Sequence, residues 1–277
     1  MTTEMLTDYS IWIAAMVFAG LAGGFIAGLL GVGGGIIIVP ILYFVLGGMD
    51  VDPDIRMKIA VATSLTTIVF TSLSSARSHH KRDAVDFTLV KTWGIPIFIG
   101  VVCGTVIAGL VNGLVLTVVF AVVALLVAIN MVFRANSAPV SDGFPNGIVK
   151  AICGYFVGVI STMMGIGGGT LSVPILTTFG YDIRRAVGTA SAIGFIIAIP
   201  GTIGYAIAGW NVPNLPAGSL GYVNLLALVA LAPLTMLIAP WGARVAHRLD
   251  RKVLGYAFAA FLTLTSLRMF IDILQHL

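Results

Sequence analysis

The chain alternates long apolar stretches with short polar ones. About 20 residues of helix, rising 1.5 Å each, cross the roughly 30 Å of bilayer hydrocarbon. Runs of that kind are Ile11–Leu46, Met57–Ser75, Thr92–Val111, Leu114–Phe133, Gly147–Phe179, Ala186–Gly209, Tyr222–Ala243 and Val253–Ile273. The first and fifth exceed one span and are interrupted by glycines. The order is therefore one broken segment and three whole ones, twice.

Self-similarity supports the duplication. Gly31-Val-Gly-Gly-Gly-Ile-Ile-Ile-Val-Pro-Ile-Leu42 returns as Gly165-Ile-Gly-Gly-Gly-Thr-Leu-Ser-Val-Pro-Ile-Leu176. Gly24–Gly28 resembles Gly154–Gly158, and Ala60–Ser64 aligns with Ala186–Ala190. Three matches in order divide the chain into a first repeat (1–133), a linker (134–150, with Pro139, Asp142, Gly143 and Pro145) and a second repeat (151–277).

Composition agrees. The chain is 58% hydrophobic and 9% charged, against about 25% charged residues in an ordinary soluble domain. A soluble enzyme or a nucleic-acid binder is excluded on that ground. The net charge of +4 has a positional origin. Short loops rich in Lys and Arg stay in the cytoplasm. Arg77, Lys81, Arg82 and Lys91; Arg244, Arg248, Arg251 and Lys252; Arg134 and Lys150; and Arg184 and Arg185 make 12 of the 15 bases. Placing all of them inside leaves Glu4, Asp8, Asp50, Asp52, Asp54 and Asp272 outside. Both ends of Gly147–Phe179 then lie on one side, so it enters and returns as a hairpin. By the repeat, Ile11–Leu46 does the same from the opposite face. The predicted fold is an all-α polytopic membrane protein of two inverted repeats, each a broken re-entrant-type helix hairpin plus three transmembrane helices. Trp12, Trp93, Trp210 and Trp241 fall near span ends, where interfacial anchors belong.

The glycine runs are the main functional candidates. Gly33, Gly34 and Gly35, and Gly167, Gly168 and Gly169, break a helix at membrane depth, where unpaired backbone donors are costly unless protein or a polar cavity receives them. A half-helix starting just after each break would aim its free N–H groups and positive dipole end at an anion. Thr170 belongs to the same turn. Alternatively, each helix starts at Pro40 or Pro174, or the glycines serve close packing alone. Thr63, Ser64, Thr189 and Ser191 follow the cationic starts of the second and sixth segments, where hydroxyls suit a substrate's oxygens or bond neighbouring helices. Gly20-x-x-x-Gly24-x-x-x-Gly28, Gly100-x-x-x-Gly104 and Gly154-x-x-x-Gly158 read as packing faces, so Gly24→Ala should be nearly neutral.

No Asp or Glu lies in a span core, and His79, His80, His247 and His276 sit in loops or at span ends, so no proton carrier is identified. Without buried acids or bases at depth, no catalytic residue, metal or cofactor is expected. Cys103 and Cys153 read as small apolar residues, with contact to a sulfur species as the alternative.

The repeated G-x-G-G-G-x-x-x-x-P at Gly31–Pro40 and Gly165–Pro174, the duplicated basic loops and the length resemble the sulfite exporter TauE/SafE family of membrane transporters. The resemblance covers nearly the whole chain. It implies a multi-pass protein of a bacterial inner (plasma) membrane that moves sulfite, sulfoacetate or another organosulfonate outward. Some related carriers use paired cysteines, but Cys103 and Cys153 do not occupy matching repeat positions. The leading expectation is a carrier of a small sulfur-containing oxyanion, acting between the two glycine hairpins. A passive channel of aquaporin-like plan is the alternative. The partners expected are the anion and the bilayer, with no nucleic acid; oligomeric state is not legible.

Overall fold

The computed structural model describes residues 3–133, 140, 141, 143, 144, 146–245 and 251–275, with side chains from Trp12 onward and, in the last helix, for Tyr256 and from Ala259 onward. The charges at Glu4, Asp8, Arg134, Arg248, Arg251 and Lys252, the linker residues Pro139, Asp142 and Pro145, and His247 and His276 lie outside these described positions or side chains.

Both broken segments resolve into a long and a short helix: α1 (Thr3–Leu30) with α2 (Gly35–Gly48), and α6 (Gly147–Met164) with α7 (Gly169–Thr178). The whole segments are α3 (Pro53–His80), α4 (Phe87–Leu110), α5 (Gly113–Phe133), α8 (Ile183–Ala208), α9 (Leu225–Val245) and α10 (Arg251–Gln275). Among the described residues, seven helices are long and apolar enough to cross a membrane. The chain is a multi-pass integral membrane protein. Helices outrun the apolar stretches because polar residues cap them beyond the hydrocarbon. Asp52, Asp86, Asn146 and Asp182 each accept a first-turn N–H of the helix that follows. The start expected at Tyr222 moves to Leu225. Ser219–Leu220 (β1) pairs antiparallel with Val223–Asn224 (β2), and Tyr222 lies buried in the turn between them.

The short arms cannot cross: α2 has 14 residues and α7 has 10, about 21 and 15 Å of helix. Each chain end returns beside its start. A Cβ on Gly48 would lie 2.2 Å from the Trp12 ring. In the second hairpin, the amides of Val140 and Gly143 each donate at 2.8 Å, to the carbonyls of Thr178 and Phe179. Phe144 packs on Phe179 at 4.6 Å between centroids.

Packing exchanges between the two halves. α1 lies on α9 and α6 on α4, while α3 packs on α8 and α5 on α10. The glycine faces make these approaches possible, as their spacing predicts. A Cβ on Gly28 would lie 1.8 Å from the Ala239 carbonyl oxygen, and one on Gly158 would lie 2.2 Å from that of Ile97. Gly24 is no exception: a Cβ there would meet the Thr235 backbone at 2.6 Å. The expectation that Gly24→Ala is nearly neutral is therefore corrected, because at 1.5 Å rise per residue the face offers no slack between contacts. Trp93 is also corrected. It is fully buried against the base of the second hairpin and donates Nε1–H to the Lys150 carbonyl at 2.8 Å. Trp210 and Trp241 are exposed, as anchors should be.

Gly28→Ala should therefore lower thermal stability in detergent by about 1–3 kcal/mol. Gly147→Ala, with nothing within 4 Å of its added Cβ, should leave the midpoint unchanged. Equal midpoints for the two variants would contradict the packing reading.

Candidate functional site

The two glycine runs meet at the centre of the molecule, and their contacts are reciprocal. A Cβ on Gly35 would lie 2.2 Å from the Gly165 carbonyl oxygen, and one on Gly169 would lie 2.2 Å from that of Gly31. Gly33 faces Gly167, whose added Cβ would come within 3.0 Å of the Gly33 Cα. Gly31 abuts Val187 of α8, and Gly165 abuts Val61 of α3. Residues 31–40 and 161–170 are buried throughout. Backbone presses on backbone here, and any side chain would separate the runs.

Both short helices start at the glycines, α2 at Gly35 and α7 at Gly169, with Pro40 and Pro174 inside them. Proline does not set the start, because the tight crossing admits only glycine and the chain can coil as soon as it clears it. Neither N-terminus carries a side-chain cap, so first-turn amides face the crossing without that acceptor. The matched glycines differ in backbone. Gly34 has φ 81°, a left-handed conformation that other residues adopt only with strain. Gly168 has φ −56°. It is glycine for space: a Cβ would lie 2.7 Å from Ile193 Cγ2.

The hydroxyls divide into two groups. Thr63 Oγ1 accepts the Asn224 N–H at 2.9 Å, and Thr189 Oγ1 accepts the Asp86 N–H at 3.0 Å. Asn224 and Asp86 in turn accept first-turn amides of α9 and α4. These two threonines tie each first whole span to the loop opening the other half's next helix. Ser64 donates to the Gly165 carbonyl at 2.7 Å, joining α3 to the opposite run. Ser191 bonds the Val187 carbonyl and lies 3.1 Å from Ser75 Oγ. Arg185 pairs with Asp86 at 3.0 Å, outside the crossing.

Sequence reasoning missed a second group. The hydroxyl oxygens of Ser161, Thr162, Thr170 and Ser172, on either side of the second glycine run, are buried without hydrogen-bond partners. Ser72, on α3, is in the same condition. Of these, only Thr170 was singled out in the sequence. The signal was present, since Thr170 and Ser172 stand where the first run has Ile36 and Ile38. Arg56 and Lys58 belong to no repeated motif, yet both are buried in the first turns of α3. Cys103 and Cys153 are free and half-buried, on α4 and α6.

The sequence profile of the family described as "Sulfite exporter TauE/SafE" matches residues 16–269. The chain belongs to that family. TauE/SafE proteins are membrane transporters. Curated relatives carry names to match. A probable membrane transporter protein of Haemophilus influenzae is 32% identical over 261 residues, covering 94% of this chain and 98% of that one. The probable membrane transporter protein YunE of Bacillus subtilis is 26% identical over 86% of this chain and 90% of its own length. One from Methanocaldococcus jannaschii is 25% identical, over 86% and 85%. No solved structure is a significant match.

Thr63→Val should leave the buried Asn224 amide unsatisfied and cost about 1–3 kcal/mol. Thr63→Ser should restore most of it. Thermal unfolding in detergent reads both, and equal midpoints for Val and wild type would remove the structural role.

Proposed function

We propose that this TauE/SafE transporter is a carrier, not an enzyme or a channel, for a small sulfur-containing oxyanion such as sulfite or an organosulfonate. The observation that carries this reading is the reciprocal meeting of two uncapped helix N-termini at the glycine crossing. Two positive dipole ends, each without a side-chain cap, suit an anion and require no charged side chain. Thr170, Ser172, Ser161 and Thr162 add unused hydrogen-bonding capacity beside one of them, which suits an oxyanion's several acceptor oxygens.

The two halves act as inverted repeats. Supporting this are the exchanged packing of α1 on α9 and α6 on α4 and the matched threonine bonds to Asn224 and Asp86. The glycine runs touch, leaving no standing pore between them. Transport then requires one hairpin to part from the other, admitting the anion first from one face and then from the other. The direction is outward, as the family description names, and the basic loops face the cytoplasm.

Proteoliposomes test the mechanism. Sulfite uptake should saturate, and labelled sulfite should show counterflow, which a channel does not give. Gly34→Val and Gly168→Val should each reduce uptake at least about tenfold, because displacing the loop removes amides that act only within the first helical turn. Gly147→Ala should transport normally. Full activity of both valine variants, in protein shown to be inserted, would return the glycines to packing.

Orientation has its own test. A cysteine replacing Lys81, in protein lacking Cys103 and Cys153, should resist a membrane-impermeant thiol reagent applied to intact cells. It should react after permeabilisation. Ready labelling from outside would reverse the assignment.

A further inference from the structure

Arg56 and Lys58 lie within the span-length helix α3 and are 7% and 6% exposed. Among the described residues the one ion pair is Arg185 with Asp86, so neither buried cation has a described carboxylate within the 4.0 Å of an ion pair. Nearby acids serve other groups. Asp52 accepts the Asp54 amide, Asp54 accepts the Gly113 amide, and Asp272 accepts the Tyr43 hydroxyl. The N-terminal end of α3 is itself positive, the unfavourable end for a cation.

Arg56 is the sharper case. Its Nε is buried with no hydrogen-bond partner. Its guanidinium carbon lies 4.5 Å from the centroid of the Tyr43 ring. Gly47 also makes room for it, since a Cβ there would meet Nη1 at 2.3 Å. Tyr43 and Gly47 are one turn apart on α2, so one face of that helix receives the group. The amides of Met49, Asp50 and Val51 bond the Leu46 and Gly47 carbonyls, and the negative dipole end of α2 there offsets part of the charge without giving Nε a hydrogen bond. Lys58 rests on Tyr222 at 5.6 Å. An aromatic face offsets only part of a desolvated charge. Arginine keeps its charge when buried.

We propose that Arg56 is a second anion-binding station, a charged subsite at the start of α3 that holds an oxyanion on its guanidinium fork. Lys58, directed toward Tyr222, adds attraction without direct contact. The planar fork fits two oxygens of one anion. Arg56 precedes Ser64, which touches the glycine crossing, by about 12 Å along the helix. The station is thus one step from the crossing, and α2 connects them, with its glycine N-terminus at one and its Tyr43–Gly47 cradle at the other. Among the described residues the start of α8 offers no equivalent buried charge. There Arg185 is half-exposed and neutralised by Asp86. Arg56 stands just before the apolar run that begins at Met57, at one mouth of the bundle, and this asymmetry puts a waiting anion there.

The station rests on the reading of the chain as an anion carrier, so the test separates the two. Purified full-length protein in detergent is titrated with sodium sulfite against sodium gluconate at equal ionic strength, and the unfolding midpoint is followed. Wild type should rise saturably with sulfite. Arg56→Gln should match or exceed wild type without sulfite, because it removes an unpaired buried charge, and should need at least about tenfold more sulfite for the same rise. A residue serving only structure would give the reverse: a lower midpoint without anion and an unchanged sulfite dependence. That result overturns the proposal. Arg56→Lys keeps the charge but loses the fork, and should shift the dependence several-fold; if the glutamine variant does not fold, an unshifted lysine variant overturns the station by itself. Gly34→Val should retain the sulfite-dependent rise while losing uptake. No sulfite-dependent rise in wild type overturns the station. Should wild type also take up no sulfite in proteoliposomes, the carrier reading falls with it.

Discussion

Two interrupted helices meet inside the membrane, and the rest of the fold is arranged to cover that meeting. A broken helix exposes backbone donors and acceptors that hydrocarbon cannot satisfy. Each run is shielded here by the other run and by the first whole span of the opposite half: Gly31 against Val187, Gly165 against Val61. Only glycine permits the approach, since a Cβ at Gly35 or Gly169 would intrude on a carbonyl oxygen. Neither hairpin can therefore be buried correctly without the other.

That dependence reaches outward through few bonds. Thr63 and Thr189 each hold the residue that caps a helix of the other half. The glycine faces of α1 and α6 draw those long arms onto α9 and α4. Each half thus carries the other's hairpin, and a motion of one hairpin moves packed helices of both. Close packing of this kind resists gradual deformation.

The halves are alike in backbone contacts and unlike in chemistry. Hydroxyls flank the second glycine run, where the first has isoleucines. Buried bases stand at the start of α3, whereas the start of α8 has a paired and exposed arginine. Under the proposed carrier reading, a duplicated frame would alternate between two faces, and side chains that differ between copies would give the two faces different tasks.

Hydropathy and self-similarity alone determined the membrane class, both breaks and the order of the apolar segments, and the repeated motif carried the resemblance to the family. These follow from local properties: a run's affinity for hydrocarbon, glycine's missing side chain, and a motif repeated in order. The start of α2 and α7 at glycine and not proline needed the crossing itself, where close approach overrides proline's preference for a first turn. Trp93 looked like an anchor because its place near a span end is local information, whereas the Lys150 carbonyl it bonds is 57 residues away. Thr63 and Thr189 were visible as a matched pair, but their bonding to Asn224 and Asp86 is 161 and 103 residues distant. Gly24 and Arg56 make the same point. What meets a side chain across the bundle is set by which helices share a face, and no local pattern encodes that.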